Sequence, residues 1–314
     1  MGFGPADFEK VEQIGRGGQA TVWLARVIGS DGDLVALKET KLRFMDSSGR
    51  RRAQQEVTLL RELSSKQQGD DLNIVVRYLG CFEDDAMDTL VLVLEFIDGL
   101  PLHKAMAQQP QGHFSESRAR TLLADIAGTL GKLHNLGIVY RDLKLPNLLL
   151  CPGEGGQLRL VDFGYAKKMQ QEEPVSVGMH RLRRTYSIVG TFYALAPEML
   201  ECREEQNTDG FYEVGHGEMV DWWQLGIVAC ELLYGRPPWG YQDEASVKVE
   251  ARKSPASLEG VIPTDGEAGA LIRALLEADP LQRLGVRGDA EEVLAHPFFQ
   301  GLVERVELDL AGLD

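Results

Sequence analysis

Cysteine is scarce. The 314-residue chain carries four, Cys81, Cys151, Cys202 and Cys230, far apart and with no C-x-x-C spacing. That excludes a disulfide framework and a paired-cysteine zinc site, and it fits a reducing compartment. Basic residues are in deficit, 33 Lys and Arg against 48 Asp and Glu for a formal charge of −15, so neither nucleic acid nor an anionic membrane is expected as a partner. Long apolar runs are missing as well, and a stretch such as Leu90–Leu94 is far too short to span a bilayer. No apolar signal region opens the chain, Ala6 stands where a myristoylation signal wants Ser or Thr, and no prenylation box closes it. The expected location is therefore cytoplasmic, with nuclear entry left open. What is present is ordinary for a folded chain, 44% hydrophobic and 26% charged, with length for one large or two modest domains.

The first hundred residues read as strand-rich. TVWLARV and DLVALKE alternate around the turn SDGD and predict a hairpin, while IVVRYL and TLVLVLEFI predict two further strands. Between them Arg50–Leu63 has helical periodicity, with Glu56, Leu59, Leu60 and Leu63 on one stripe. Beyond a seam near Asp98–Gly99 long helices take over, Glu116–His134 closing at Gly137 and Met219–Tyr234 closing at Gly235. The second of these is apolar almost all round, the mark of a helix inside a helical domain. Residues 64–73, 151–157, 170–186, 201–218 and 253–268 are polar or Gly-rich and read as surface loops. No internal repeat is present.

Several features carry chemistry only in combination. GRGGQATV, Gly15–Val22, is a turn whose missing side chains let backbone N–H groups approach a phosphate, though alone it fits a plain tight turn equally well. A strand follows it, which disfavours a dinucleotide site that needs a helix N-terminus. Lys38 shares a strand face with Ala36, and Glu56 sits on the apolar stripe of its helix, where an unpaired carboxylate is costly and a cationic partner such as Lys38 is expected. Then comes VYRDLKLPNLLL, with Asp142, Lys144 and Asn147, followed by Asp162, Phe163 and Gly164. A base, a neutraliser of phosphate charge and an amide ligand within one loop, with a second carboxylate after it, is the equipment of phosphoryl transfer. Ala196–Glu198 (APE), Asp221–Gly226 (DWWQLG) and Arg283 follow in order.

Over about residues 8–300 this series resembles eukaryotic-type serine/threonine protein kinases. Within them YRDLK, VDWW, DPLQRLG and HPFF resemble the AGC group, without that group's C-terminal tail. The resemblance implies an α+β, bilobal protein-kinase-like fold. A small antiparallel-sheet lobe with one key helix would take residues 8–98, a larger mainly helical lobe residues 99–300, and a short extension residues 301–314. It also implies ATP and Mg2+ as cofactors, protein substrates with Ser or Thr acceptors, and an upstream activating kinase as a partner. Ile14, Gly15, Gly17, Gly18 and Ala20 would cover the phosphates. Val22, Ala36 and Leu149 would sandwich the adenine, Leu94 would guard the pocket behind it, and Glu95 to Ile97 would hydrogen-bond its edge. Lys38, held by Glu56, would bind the α and β phosphates; Asp162 and Asn147 would hold magnesium; Lys144 would neutralise the γ phosphate and Asp142 would be the base. Glu198 would pair with Arg283, and Asp221 would hold the backbone of the catalytic loop.

Some positions depart from the family pattern. Ala20 replaces the third glycine of the phosphate loop, and Pro101 and Pro146 replace two of three acids that read substrate arginines, Glu231 being the third. A preference for upstream arginine is not expected on two such sites, since a charge-assisted pair needs a local carboxylate. The segment from Asp162 to Glu198 is long, and counting back from APE places Ser187 at the activating phosphorylation position, with Arg52, Arg141 and Lys167 as its cationic pocket. The alternative reading is a nucleotide-binding pseudokinase or scaffold, favoured by Ala20 and by the unusual LPN after DLK. Against it, Lys38, Glu56, Asp142, Lys144, Asn147 and Asp162 are all in place. An acidic interaction module at 201–218, binding a basic partner, can coexist with catalysis.

Overall fold

The computed structural model describes residues 3–18, 20–66, 74–152, 157–169, 175–177, 180–182, 191–200, 217–240, 243–263 and 265–301. The chain divides into two compact units, Met1–Leu100 with Leu148–Tyr165, and Pro101–Asn147 with Ala166–Asp314. The first division lies beside the seam expected at Asp98–Gly99. The return of residues 148–165 to the first unit has no local signature, because it is a pairing between segments distant in sequence.

The first unit is a five-stranded antiparallel sheet in the order β1-β2-β3-β5-β4, with β1 Phe8–Arg16, β2 Ala20–Val27, β3 Leu34–Lys41, β4 Tyr78–Asp84 and β5 Thr89–Glu95. Helix α1, Ser47–Lys66, extends the predicted Arg50–Leu63 at both ends. β3 lies inside the sheet and is buried on both faces over Val35–Lys38, whereas β1 is an edge strand, exposed along most of its length. Its sequence FEKVEQIGR shows why periodicity did not reveal it: charges on an edge discourage pairing with other chains and blur the alternation. Two register shifts, at Lys10/Glu12 and Gln13/Gly15, kink it before the glycine turn. One face of the sheet packs Phe8, Ala25, Val35, Leu37, Val91 and Val93 with Trp23, Val27 and Phe82 into a core.

One predicted strand moves. IVVRYL was expected to be a strand from residue 74, but β4 begins at Tyr78. Val75 and Val76 are buried, Val75 bridges Leu160, and the Val76 N–H donates to the Leu160 carbonyl at 3.0 Å. The apolar run therefore seats the returning segment, whose strands β8, Leu148–Leu150, and β9, Leu158–Leu160, pair antiparallel.

At the passage to the second unit lies β6, Leu100–Pro101. The second unit contains α2 Leu102–Ala107, α3 Glu116–Asn135, β7 Ile138–Val139, β10 Lys167–Lys168, α4 Pro197–Leu200, α5 Met219–Tyr234, α6 Glu244–Arg252, α7 Gly266–Leu275 and α8 Asp289–Leu294. Every residue of α5 from Met219 to Leu233 is buried, as its all-round apolar pattern predicts, and Gly235 ends it in the left-handed region at φ 76°. The segment 170–186, expected as loop, contains strands Val175–Val177 and His180–Leu182, paired with Val177 opposite His180. Val-Ser-Val separated by two residues from His-Arg-Leu is a hairpin pattern embedded in a polar stretch. Among the described residues no helix is long and apolar enough to cross a membrane.

Candidate active site

Each unit holds a set of functional side chains. In the first, the turn after β1 is closed by the Gly17 N–H donating to the Ala20 carbonyl at 2.8 Å. A Cβ on Gly15 would lie 3.4 Å from the Val22 side chain, and one on Gly18 would meet nothing within 4 Å. Ile14 is exposed at the end of β1. In the sheet register Val22 stands opposite Lys38 and Ala36 opposite Leu94, so these four occupy neighbouring positions on β2, β3 and β5. A Cβ on Gly99 would come within 3.1 Å of the Leu149 Cβ, so glycine lets the chain run closely over Leu149 without displacing it. Glu95, expected at the adenine edge with Ile97, accepts the Arg77 N–H at 2.7 Å and forms an ion pair with Arg159. Nothing in the local sequence links Arg159 to Glu95; β8 and β9 bring them together.

The Lys38 ammonium is 2.6 Å from Glu56 Oε1 and 2.7 Å from Asp162 Oδ1. Burial opposes its charge, but the Asp162 and Glu56 carboxylates outweigh burial and hold it above the ordinary lysine range. Glu56 is pushed up, chiefly by burial, with Lys38 opposing that and the Asp162 charge adding to it. One cation thus serves two carboxylates. Asp162 adopts φ 63°, a left-handed conformation that Asp tolerates better than most residues. Gly164 donates its N–H to Asp162 Oδ1 at 3.2 Å, and a Cβ there would lie 3.2 Å from that same oxygen, a tight approach that the carboxylate would have to yield to, and in ordinary contact with Glu56 and Lys38.

In the second unit the loop after β7 carries Asp142, 2% exposed. Lys144 Nζ lies 2.8 Å from Asp142 Oδ2 and donates to Thr191 Oγ1 at 2.9 Å, while the Thr191 hydroxyl donates to Asp142 Oδ1 at 3.2 Å. Asn147 Nδ2 donates to both the Asp142 carbonyl and its Oδ2, each at 2.9 Å. With its nitrogen so engaged, Asn147 has its amide oxygen as the atom it can offer a hard cation; Asp162 offers a carboxylate, and such oxygens suit Mg2+.

The loop's backbone is held from α5. Asp221 accepts the N–H groups of Tyr140 at 2.8 Å and Arg141 at 2.7 Å, as the family resemblance implied. Two further partners were not legible. Gln224 Oε1 accepts the Leu143 N–H at 2.9 Å, and its Nε2 donates to the Arg141 carbonyl at 3.0 Å. His134 of α3 bridges Asp221 at 2.9 Å and Asp289 at 2.7 Å, and Trp222 Nε1 donates to Asp289 at 3.0 Å. Burial disfavours the charged imidazole, but hydrogen bonds and charge from Asp221 and Asp289 prevail and raise its pKa to about 10. The one available signal was spacing: Asp221 and Gln224 are three apart on a helix and share a face.

Farther from the loop, Arg283 pairs with Glu198 through two bonds of 2.6 and 2.9 Å, donates to the Met219 carbonyl and stacks on Trp223. Pro101 caps α2, Pro146 is exposed in the turn Leu145–Asn147, and Glu231 is buried within α5. Lys167 pairs opposite Val139 on β10 and β7, two residues before Arg141, which is buried at φ 68°. Arg52 lies in the first unit and donates to Ser48 Oγ at 3.4 Å. Ser187 and the segment 201–216 lie outside the described residues.

Comparison with known proteins points one way. A family model described as a protein kinase domain matches residues 8–299. The chain is 31% identical over 298 residues to human ribosomal protein S6 kinase alpha-2, covering 94% of this chain and 36% of that protein. It is 33% identical over 304 residues to human ribosomal protein S6 kinase alpha-4, covering 94% and 35%, and 30% identical over 298 residues to the zebrafish (Danio rerio) alpha-6 protein, covering 94% and 36%. The chain therefore spans about a third of the length of these curated relatives.

Proposed function

Because the chain belongs to the family of protein kinase domains, among serine/threonine kinases and close to their AGC group, we propose that it transfers the γ-phosphate of Mg-ATP to Ser or Thr hydroxyls of protein substrates. Kinases of this family use ATP and Mg2+. The observation that carries the reading is Asp142, whose carboxylate is oriented by Lys144, Thr191 and Asn147 at once. In the reaction the substrate oxygen bonds to the γ phosphorus, the bond from that phosphorus to the β–γ bridging oxygen breaks, and the hydroxyl proton passes to Asp142 Oδ. Lys144 faces the charge that develops on the transferred group. Lys38 grips the α and β phosphates, and its two carboxylate partners fix where the ammonium sits. When bound, magnesium would neutralise phosphate charge, and the family resemblance gives Asn147 of the second unit and Asp162 of the first as residues that each offer it an oxygen. Most of the rate enhancement is positioning and charge stabilisation.

Three finer points belong to the same proposal. Phosphate on Ser187 switches the enzyme on, and the adjacent arrangement of Lys167 and the Arg141 loop is the cationic ground for it. Pro101 and Pro146 remove two carboxylates that would read arginine, so substrates need no basic residue upstream at those subsites. A cytoplasmic location, with nuclear entry open, fits the scarce and widely spaced cysteines, of which Cys81, Cys151 and Cys230 are free thiols. The test is phosphate transfer from Mg-ATP to a degenerate Ser/Thr peptide array with Asp142→Asn in parallel. Transfer that vanishes in the variant supports the reading. Nucleotide binding with a blank array from both the unmodified and the Ser187-phosphorylated chain would shift it to a pseudokinase.

A further inference from the structure

Asp221 and Gln224 sit three residues apart on α5 and address the same four residues of chain, Tyr140 to Leu143, but they do different things. Asp221 takes two N–H groups upstream of Asp142, those of Tyr140 and Arg141. Gln224 takes the two peptide groups that flank Asp142 itself: the carbonyl of Arg141, which belongs to the peptide entering Asp142, and the N–H of Leu143, which belongs to the peptide leaving it. A primary amide is suited to this, because it carries a donor and an acceptor side by side and presents to the loop what a neighbouring strand would. Both partners and Gln224 are buried, Gln224 at 0% exposure, so water cannot substitute for either bond.

The loop needs such a holder. Arg141 has φ 68°, a left-handed conformation costly for a long side chain, and would relax if its carbonyl were released. The side chain of Asp142 hangs from the two peptides that Gln224 grips, so any rotation of those planes swings the carboxylate away from Thr191 and Lys144. An apolar residue would serve the buried position on α5 better if packing were all it had to do.

We propose that Gln224 is a positioning residue for Asp142, fixing through the two flanking peptide groups the direction in which the carboxylate meets the substrate hydroxyl. The inference rests on the phosphotransfer reading above and sharpens it. The hydrogen bonds of Gln224 run to the loop around Asp142, so its loss should act on kcat while leaving the affinity for nucleotide alone.

The experiment measures kcat, KM for Mg-ATP and the hydrogen exchange of the Leu143 amide in the full chain, for Gln224→Ala and Gln224→Glu. Gln224→Ala should lower kcat about 10- to 100-fold, with KM for Mg-ATP within about twofold and faster Leu143 exchange. In Gln224→Glu the neutral carboxylic acid also offers one donor and one acceptor. Burial raises the pKa of the introduced carboxyl, so the rate should approach that of the parent chain at acid pH and fall as the carboxyl ionises. This limb is absent from the parent profile, and a merely structural residue would not create it. Because the Glu variant conserves shape, it keeps the test decisive if the Ala variant does not fold. An unchanged kcat in the folded Ala variant overturns the proposal, as does a Glu profile that superimposes on the parent. If the parent itself transfers no phosphate while Gln224→Ala still accelerates Leu143 exchange, the phosphotransfer reading fails and the clamp remains.

Discussion

The two units hold their functional groups by opposite means. In the first, the groups hold each other: Lys38, Glu56 and Asp162 form a chain of charges contributed by β3, α1 and the segment after β9. In the second, a buried helix with no reactive role of its own holds the backbone of the loop, and the reactive side chains hang from it. On the proposed phosphotransfer, the difference follows from the ligand each would serve. An ammonium that must release one carboxylate's attention to a phosphate is best kept in an adjustable ionic balance. A base that must meet a hydroxyl in one geometry is best fixed through its main chain.

If that contrast is right, the largest effect is chemical and confined to the second unit. Asp142→Asn keeps the Asn147 and Thr191 neighbours but removes the base, and steady-state transfer should fall about 10²- to 10⁴-fold without a change in thermal stability beyond a degree or two. A large loss of stability would mean that the carboxylate is a structural link instead.

Next come the two buried arginine and lysine pairs, which should respond unequally. Arg283→Met removes both bonds to the buried Glu198 carboxylate, with Arg283 at 0% and Glu198 at 7% side-chain exposure, and should cost about 3–5 kcal/mol by chemical denaturation. Lys38→Met should cost about 1–3 kcal/mol, because Asp162 reaches water at 43% side-chain exposure and Glu56, its pKa already raised, can take up a proton. That proton makes the Lys38 variant more stable, relative to the parent, as pH falls. Equal losses for the two variants would break the comparison.

A smaller effect concerns pH. The folded pKa of His134, about 10, lies above its ordinary 6.5, so its contribution to stability is complete below about pH 6.5 and is lost as pH rises toward and through 10. The midpoint temperature of the parent should therefore decline between about pH 7 and 10 more steeply than that of His134→Gln, measured by calorimetry across that range. Parallel profiles would show that the imidazole is not charged between Asp221 and Asp289.

The last is steric. Gly131 faces Ala290 so closely that a Cβ would overlap the Ala290 Cβ, and this approach brings the start of α8 to His134 one turn along α3. Gly131→Ala should destabilise by about 1–3 kcal/mol, and Gly131→Ala combined with Ala290→Gly should recover most of it. No recovery would place the strain elsewhere.

Much of this architecture was readable before any coordinates. The period of α1 marked Glu56 as a carboxylate on an apolar stripe, and the order Asp142, Lys144, Asn147, Asp162 marked the chemistry, because catalysis constrains residue type and spacing within short segments. β1 escaped because an edge strand is under pressure to be charged, not to alternate. IVVRYL misled because a run buried by a distant segment looks the same as a strand. Gln224 and Asp289 were invisible as partners, since a glutamine on a buried helix and an aspartate at a helix start each have many local explanations.

By itself the sequence determined which reactive groups this chain owns, in what order, and which helices are buried, since these depend on residue chemistry and on periods of two and 3.6 residues. Only the tertiary structure decided that residues 148–165 return to the first unit and that Lys38 is shared between two carboxylates. It alone decided that one amide on α5 grips both peptides around Asp142. Those are pairings across many tens of residues, and their energies depend on burial and distance, quantities that a linear order of residues does not contain.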